Sequence, residues 1–260
     1  MLTFKTQKNT VKNRTKKFSQ PLLIASLLTL GLAACGDNDN KTPVITEEEV
    51  VVTVPDVTVV PVMEYGYSVT VTNLTYAQPL SPVALTLHGD AKMWEVGQKA
   101  SIALENLAEG GDNLAFLALT SNIATISSEG AVPPGASVTL DITTTDAMAT
   151  YFTVATMLVN TNDAFSGLTG VDISTLAIDQ EKSWNLNVYD AGTELNNEAA
   201  GTIPGPADGG VGFDAARNDI DLVGYHSGIV SKDDGLSSSV LTQAHRFDNP
   251  AVKLTITRTK

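Results

Sequence analysis

The chain has 260 residues, 43% of them hydrophobic and 17% charged, with a formal charge of −13 at neutral pH. That acidity opposes nucleic acid and anionic headgroups as partners, because both select basic surfaces. One cysteine cannot form an intramolecular disulfide, and three histidines with no second thiol make a poor structural zinc set, so a folded domain here depends on a hydrophobic core.

The N-terminal stretch reads as an export signal. Lys5, Lys8, Lys12, Arg14, Lys16 and Lys17 precede the apolar run from Pro21 to Ala34, which is too short to span a bilayer. The run ends in Leu32-Ala33-Ala34-Cys35, which resembles a bacterial lipobox. That resemblance implies cleavage before Cys35 and lipidation of its sulfur and amine. The alternative is an ordinary signal peptide cut at an Ala-x-Ala site. Without residues 1–34, which hold six of the 16 Lys/Arg and none of the 29 Asp/Glu, the formal charge becomes −19.

Residues 35–65 then form a stalk. Pro43, Pro55 and Pro61 interrupt any central strand, and the Val-rich part can lie extended or add at an edge. The Asp37-Asn38-Asp39 run lacks the glycine and the distal glutamate of an EF-hand loop and reads as a solvated spacer.

The folded domain spans residues 66–260. Alternating apolar and polar residues predict strands at 67–72, 82–87, 137–143, 183–188 and 251–258. The segment 151–159 is apolar at both parities and predicts a strand covered on both faces. Between them, residues 97–107 are rich in Ala, Leu, Glu and Lys, with Ala100, Ala103, Leu104 and Leu107 at helical spacing and Gly110-Gly111 as a left-handed stop. A second short turn is expected over 114–119. Segments 120–136, 160–182 and 192–220 read as long loops. Alternating strands with one helical insertion predict a mainly β antiparallel sandwich.

Several segments resemble the spondin N-terminal domain in order along the chain. They are Val69-Thr70-Val71-Thr72-Asn73-Leu74-Thr75, Gln78–Pro82, Trp94–Ser101, Leu107–Asp112, Thr156–Phe165, Tyr189–Glu194, His226–Ile229 and Asn249–Ile256. That family, present in the animal matrix proteins F-spondin and mindin and in bacterial secreted proteins, implies a C2-like antiparallel β-sandwich with a short helical insertion. It also implies adhesive or receptor contacts, a calcium-type metal site and no enzymatic activity. The animal proteins add thrombospondin-type repeats that this chain lacks, so their partner specificities do not carry over.

The resemblance ties Asp163 and Asp190 to the metal. Asp190 shares strand parity with Trp184, Leu186 and Val188, so it is expected at the rim of the core, where a carboxylate needs a partner. A Ca²⁺ ion shared with Asp163, helped by a backbone carbonyl at Asn187 and by water, would supply one, with Glu194 as an outer carboxylate. Asp190-Ala191-Gly192-Thr193 is equally good Asx-turn chemistry, and Asp163 can cap a loop. Asp208, Asp214, Asp219, Asp221, Asp233 and Asp234 form a second acidic region that reads as a solvated loop or a weak ion site.

Gly224-Tyr225-His226-Ser227-Gly228 does not have the serine spacing of a nucleophile elbow. A carboxylate pair from Asp163 and Asp190 has nothing else to support glycoside hydrolysis. The expectation is a lipid-anchored envelope protein, held in a bilayer (the outer membrane, since Gly36 rather than an aspartate follows Cys35) and binding an unknown protein or glycan. The alternatives are a structural envelope protein with a stabilising ion, or an enzyme acting on glycan or lipid.

Overall fold

The computed structural model describes residues 61–260, so the expectations for residues 1–60, lipidation of Cys35 among them, lie outside the described residues. The described fold is mainly β. Its strands are β1 (Tyr65–Asn73), β2 (Ala84–His88), β3 (Asn122–Ser127), β4 (Ser137–Thr144), β5 (Tyr151–Met157), β6 (Ala164–Asp172), β7 (Glu181–Leu186), β8 (Val188–Asp190), β9 (Gly224–Tyr225) and β10 (Val252–Arg258). They form a four-stranded sheet, order β4-β1-β10-β7, and a six-stranded sheet, order β3-β2-β5-β6-β8-β9, with every pairing antiparallel.

Period-two alternation divides the four-stranded sheet cleanly between core and water. Tyr67, Val69, Val71, Leu140, Ile142, Leu254 and Ile256 point inward and are buried against Leu85, Leu87, Phe152 and Val154 of the other sheet. The outer face carries hydroxyl ladders: Thr70 with Thr139 at 2.8 Å, Thr72 with Ser137 at 2.8 Å and Ser183 with Thr255 at 2.9 Å. Such cross-strand pairs stabilise a solvated face by about 0.2–1 kcal/mol each.

The six-stranded sheet is covered on both sides. Its outer face carries the helix α1 (Ile102–Gly110) and the short helix α2 (Leu114–Leu117). Leu104, Leu107, Ala108 and Phe116 pack there on Ala84, Ala155 and Phe165. The double coverage explains why β5 is apolar at both parities. It also buries His88, whose Nδ1 lies 2.6 Å from the Gly89 carbonyl and whose Nε2 lies 2.9 Å from the Thr153 hydroxyl. Both ring nitrogens are satisfied, and burial holds its pKa below the usual value.

Helix α1 begins later than its composition suggests. Ser101 is extended and its Oγ accepts the Leu104 N–H at 3.2 Å, so Gly97–Ala100 stay outside the helix. The stop falls at Gly111, in the left-handed conformation, as the Gly-Gly pair predicts. Two strands occupy segments read as loops: β3 within 120–136 and β6 within 160–182. The single strand expected over 183–188 is also divided. Leu186 pairs with Val252 in one sheet and Val188 with Ser166 in the other, so the chain changes sheets at Asn187.

Candidate functional site

The candidate site forms where the β5–β6 turn meets the loop after β8. The turn is built almost entirely from buried polar residues, Asn160, Thr161, Asn162 and Asp163. Thr161 Oγ1 donates to the Leu158 carbonyl at 2.6 Å and accepts the Ala164 N–H at 3.1 Å. Gln78 accepts the Asn160 N–H at 3.1 Å, and Asn162 Nδ2 donates to Thr202 Oγ1 at 2.9 Å. Asp163 is therefore held by its neighbours on both sides and is fully buried.

The loop after β8 supplies its donors. Asp190 Oδ1 accepts the Gly192 N–H at 2.7 Å, closing the Asx turn that Asp-Ala-Gly-Thr encodes. Gly192 has φ 70°, and a Cβ there would lie 2.3 Å from the Leu222 carbonyl oxygen, so the turn accepts no other residue without strain. The turn aims the next two backbone N–H groups at Asp163. Its Oδ2 accepts Thr193 N at 2.8 Å, Thr193 Oγ1 at 3.2 Å and Glu194 N at 3.1 Å, while its Oδ1 has no partner among the described groups.

Helix α1 adds two more acids to the same layer. Glu105 and Glu109 are both buried, one turn apart. Glu105 Oε2 is bound by Arg217 at 2.5 Å, and Arg217 also donates to Asp221 at 2.5 Å and to the Ala100 carbonyl at 2.9 Å. Glu109 has no such cation. Its Oε2 accepts the Asp214 N–H at 2.9 Å, and its Oε1, like Glu194 Oε2, is buried without a partner among the described groups.

These carboxyls raise one another's pKa values. Burial is the main cause for Asp163, with the Asp190 charge second, and together they lift it to about 7 against the pull of the three donated hydrogen bonds. Burial also dominates at Glu194, with the Glu109 and Asp163 charges next, and lifts it to about 8. Glu109 is raised by burial as well. Buried acids this close cannot all carry charge unless a cation compensates them.

The sequence-predicted residues are neighbours in space but play unequal parts. Ala164 stands opposite Asp190 in the β6–β8 pair, and the Ala191 N–H reaches the Asp163 carbonyl at 3.2 Å, so the two aspartates are one rung apart. Rung alternation assigns them to opposite faces of the sheet. Asp190 Oδ2 is taken by Asn196 Nδ2 at 2.5 Å, and the Asn187 carbonyl accepts the Ser166 hydroxyl at 2.9 Å. The Glu194 backbone N–H binds Asp163 directly, and its carboxyl feels the Glu109 and Asp163 charges. Glu109 was not singled out. Its signal was an i, i+4 pair of glutamates in a helix with no lysine to match.

Four of the six aspartates of the second acidic region are structural. Asp208 Oδ2 accepts the Gly201 N–H at 2.6 Å, Asp233 Oδ2 accepts Gln243 N at 2.8 Å, and Asp234 caps the 3₁₀ turn at Ser231. Asp221 pairs with Lys99 and Arg217. His226 is buried, its Nδ1 accepting the Gly228 N–H at 3.0 Å and its Nε2 3.2 Å from Asn196 Oδ1.

The unspent atoms on Asp163, Glu109 and Glu194 are hard carboxylate oxygens, the chemistry that calcium or magnesium takes. In their present positions no three His, Cys, Asp or Glu side chains among the described residues converge at metal-ligating spacing, so an ion would have to draw the glutamates inward. A cavity of about 620 Å³ between the edge strands β3 and β4 is lined by none of these acids. No helix among the described residues is long and apolar enough to cross a membrane. No family model matches the chain, and no curated protein matches it.

Proposed function

We propose that this is an exported envelope protein, moored through a lipid on Cys35, whose β-sandwich acts by binding and holds a hard divalent cation of the calcium type. The observation that carries the ion is the set of three unpartnered, buried carboxylate oxygens on Asp163, Glu194 and Glu109. A cation there removes the cost of burying like charges, and calcium accepts the oxygen-only donor set. Asp163 serves as the fixed ligand because its other oxygen is tied to the Thr193–Glu194 backbone. The glutamates supply the movable ones. Bound there, the ion neutralises the acids and fixes the loop after β8 against helix α1.

The mooring rests on the sequence of residues 1–35, and the adhesive role on the motif resemblance to spondin N-terminal domains. A dually acylated cysteine anchors stably, since each buried CH₂ contributes about 0.8 kcal/mol. Mass spectrometry of the processed chain checks the anchor, and an unmodified thiol would remove it. Protease treatment of intact cells separates a surface adhesin, which is cut, from a periplasmic structural protein, which is not. Thermal unfolding tests the ion. With a dissociation constant of about 10⁻⁴–10⁻³ M, as in extracellular modules, about 10 mM calcium stabilises the fold by about 1.4–2.7 kcal/mol. An unchanged Tm at that concentration would overturn the ion reading.

A further inference from the structure

A pocket of about 200 Å³ opens beside the acid group and is a different feature from it. Its polar lining includes Glu194, Asp214, Asn197 and Asn218, and its apolar lining Leu195 and Val211. The lining leaves a balanced set of groups unspent. Asn197 Oδ1 accepts the Ala199 N–H at 2.9 Å and Asn218 Oδ1 accepts the Leu195 N–H at 2.8 Å, which fixes both amides and leaves their NH₂ ends without a described partner. Asp214 spends Oδ1 on the Ala216 N–H at 3.0 Å and leaves Oδ2 without a described partner. The pocket therefore offers two fixed amide donors and one carboxylate acceptor, with Leu195 and Val211 47% and 64% exposed.

This balance selects the ligand. An anion is repelled by the exposed Asp214 carboxylate. An ammonium or guanidinium has only donors and leaves both amide NH₂ groups unanswered. A polyol both donates and accepts at every hydroxyl, so it answers carboxylate and amide together, and its C–H face suits the two aliphatic side chains. The volume is that of one hexose ring. We infer that this pocket holds a single unit of a neutral saccharide. The inference gives the binding role a ligand class and does not rest on the ion, although Glu194 borders both.

The test is a titration of the ¹⁵N-labelled full chain with the methyl glycosides of glucose, galactose, mannose and N-acetylglucosamine, with and without EDTA, following the side-chain NH₂ signals of Asn197 and Asn218. At least one glycoside should move both signals saturably at millimolar concentration in either condition, as expected of a small polar ligand. Asn218→Asp keeps the acceptor for Leu195 N–H but loses the donor, and should weaken binding about fivefold or more. No movement with any glycoside up to about 50 mM would overturn the inference. So would movement with methylammonium alone, which would mark a cation pocket, or movement abolished by EDTA, which would place the sugar on the ion. An absent calcium effect on Tm with glycoside shifts intact would remove the ion and leave the saccharide site standing.

Discussion

Thr193 binds Asp163 twice, through its N–H at 2.8 Å and its hydroxyl at 3.2 Å, and both bonds fall on the same carboxylate oxygen. The other oxygen is left buried and unpartnered. Three donors justify an acceptor at Asp163 Oδ2, but a neutral amide would serve them as well as a carboxylate. The surplus negative charge is what needs explaining, and it has a direct consequence for mutation. Asp163→Asn keeps the acceptor and removes the buried charge, so in EDTA it should match or exceed the parent's stability by up to about 1–2 kcal/mol, while losing the calcium response. Asp163→Ala strands all three donors and should cost about 2–4 kcal/mol. Urea unfolding with and without calcium distinguishes the two.

The same charges set a pH dependence. Asp163 and Glu194 are raised to about 7 and about 8 from ordinary values of 3.8 and 4.5. The folded state therefore binds more protons than the unfolded one, and stability falls as pH rises through the folded values. His88 and His226, both lowered by burial, work in the opposite sense below about pH 6.5. Between about pH 6.5 and 9, then, Tm in EDTA should decline and then level off, and calcium should flatten the decline. A Tm in EDTA that rises across this window would contradict the buried-acid account.

Arg217 is the cation that makes Glu105 tolerable inside the sheet–helix layer. It is bound to Glu105, to Asp221 and to the Ala100 carbonyl. Arg217→Ala leaves Glu105 buried and uncompensated, a loss of about 3–5 kcal/mol for a broken buried pair. The double variant Arg217→Ala with Glu105→Gln should recover much of it. Denaturant midpoints of the three proteins give the coupling.

Gly192 is the point through which backbone geometry reaches the site. Gly192→Ala forces an L side chain into φ 70° with its Cβ against the Leu222 carbonyl oxygen. It should cost about 1–3 kcal/mol and, by moving the Thr193 and Glu194 N–H groups, weaken the calcium response as well. Unchanged calcium affinity in this variant would separate the turn from the ion.

Much of the scaffold was legible because alternation is a local property. β1, β4, β5 and β10 could be read from residue order alone, since a strand with one or two covered faces writes that fact every second residue. β6 was hidden by Gly167 and Gly170, which look like loop residues. Gly167 is there because a Cβ would lie 2.3 Å from the Val154 carbonyl oxygen and 2.9 Å from Trp94, a contact between chain segments far apart in sequence. β9 is two residues long and is a strand only because Tyr189 pairs with Tyr225.

The site divides in the same way. The Asp-Ala-Gly-Thr turn and the cap at Ser101 are short-range chemistry, and the sequence encodes them by itself. Which carboxylates share a buried layer is not encoded locally. Glu109 comes from a helix, Asp163 from a strand turn and Glu194 from a loop, and only the packing of α1 over the six-stranded sheet brings their charges together. Residue order fixed which backbone shapes were cheap. The fold decided which charges lost their water, because desolvation depends on neighbours in space and not along the chain.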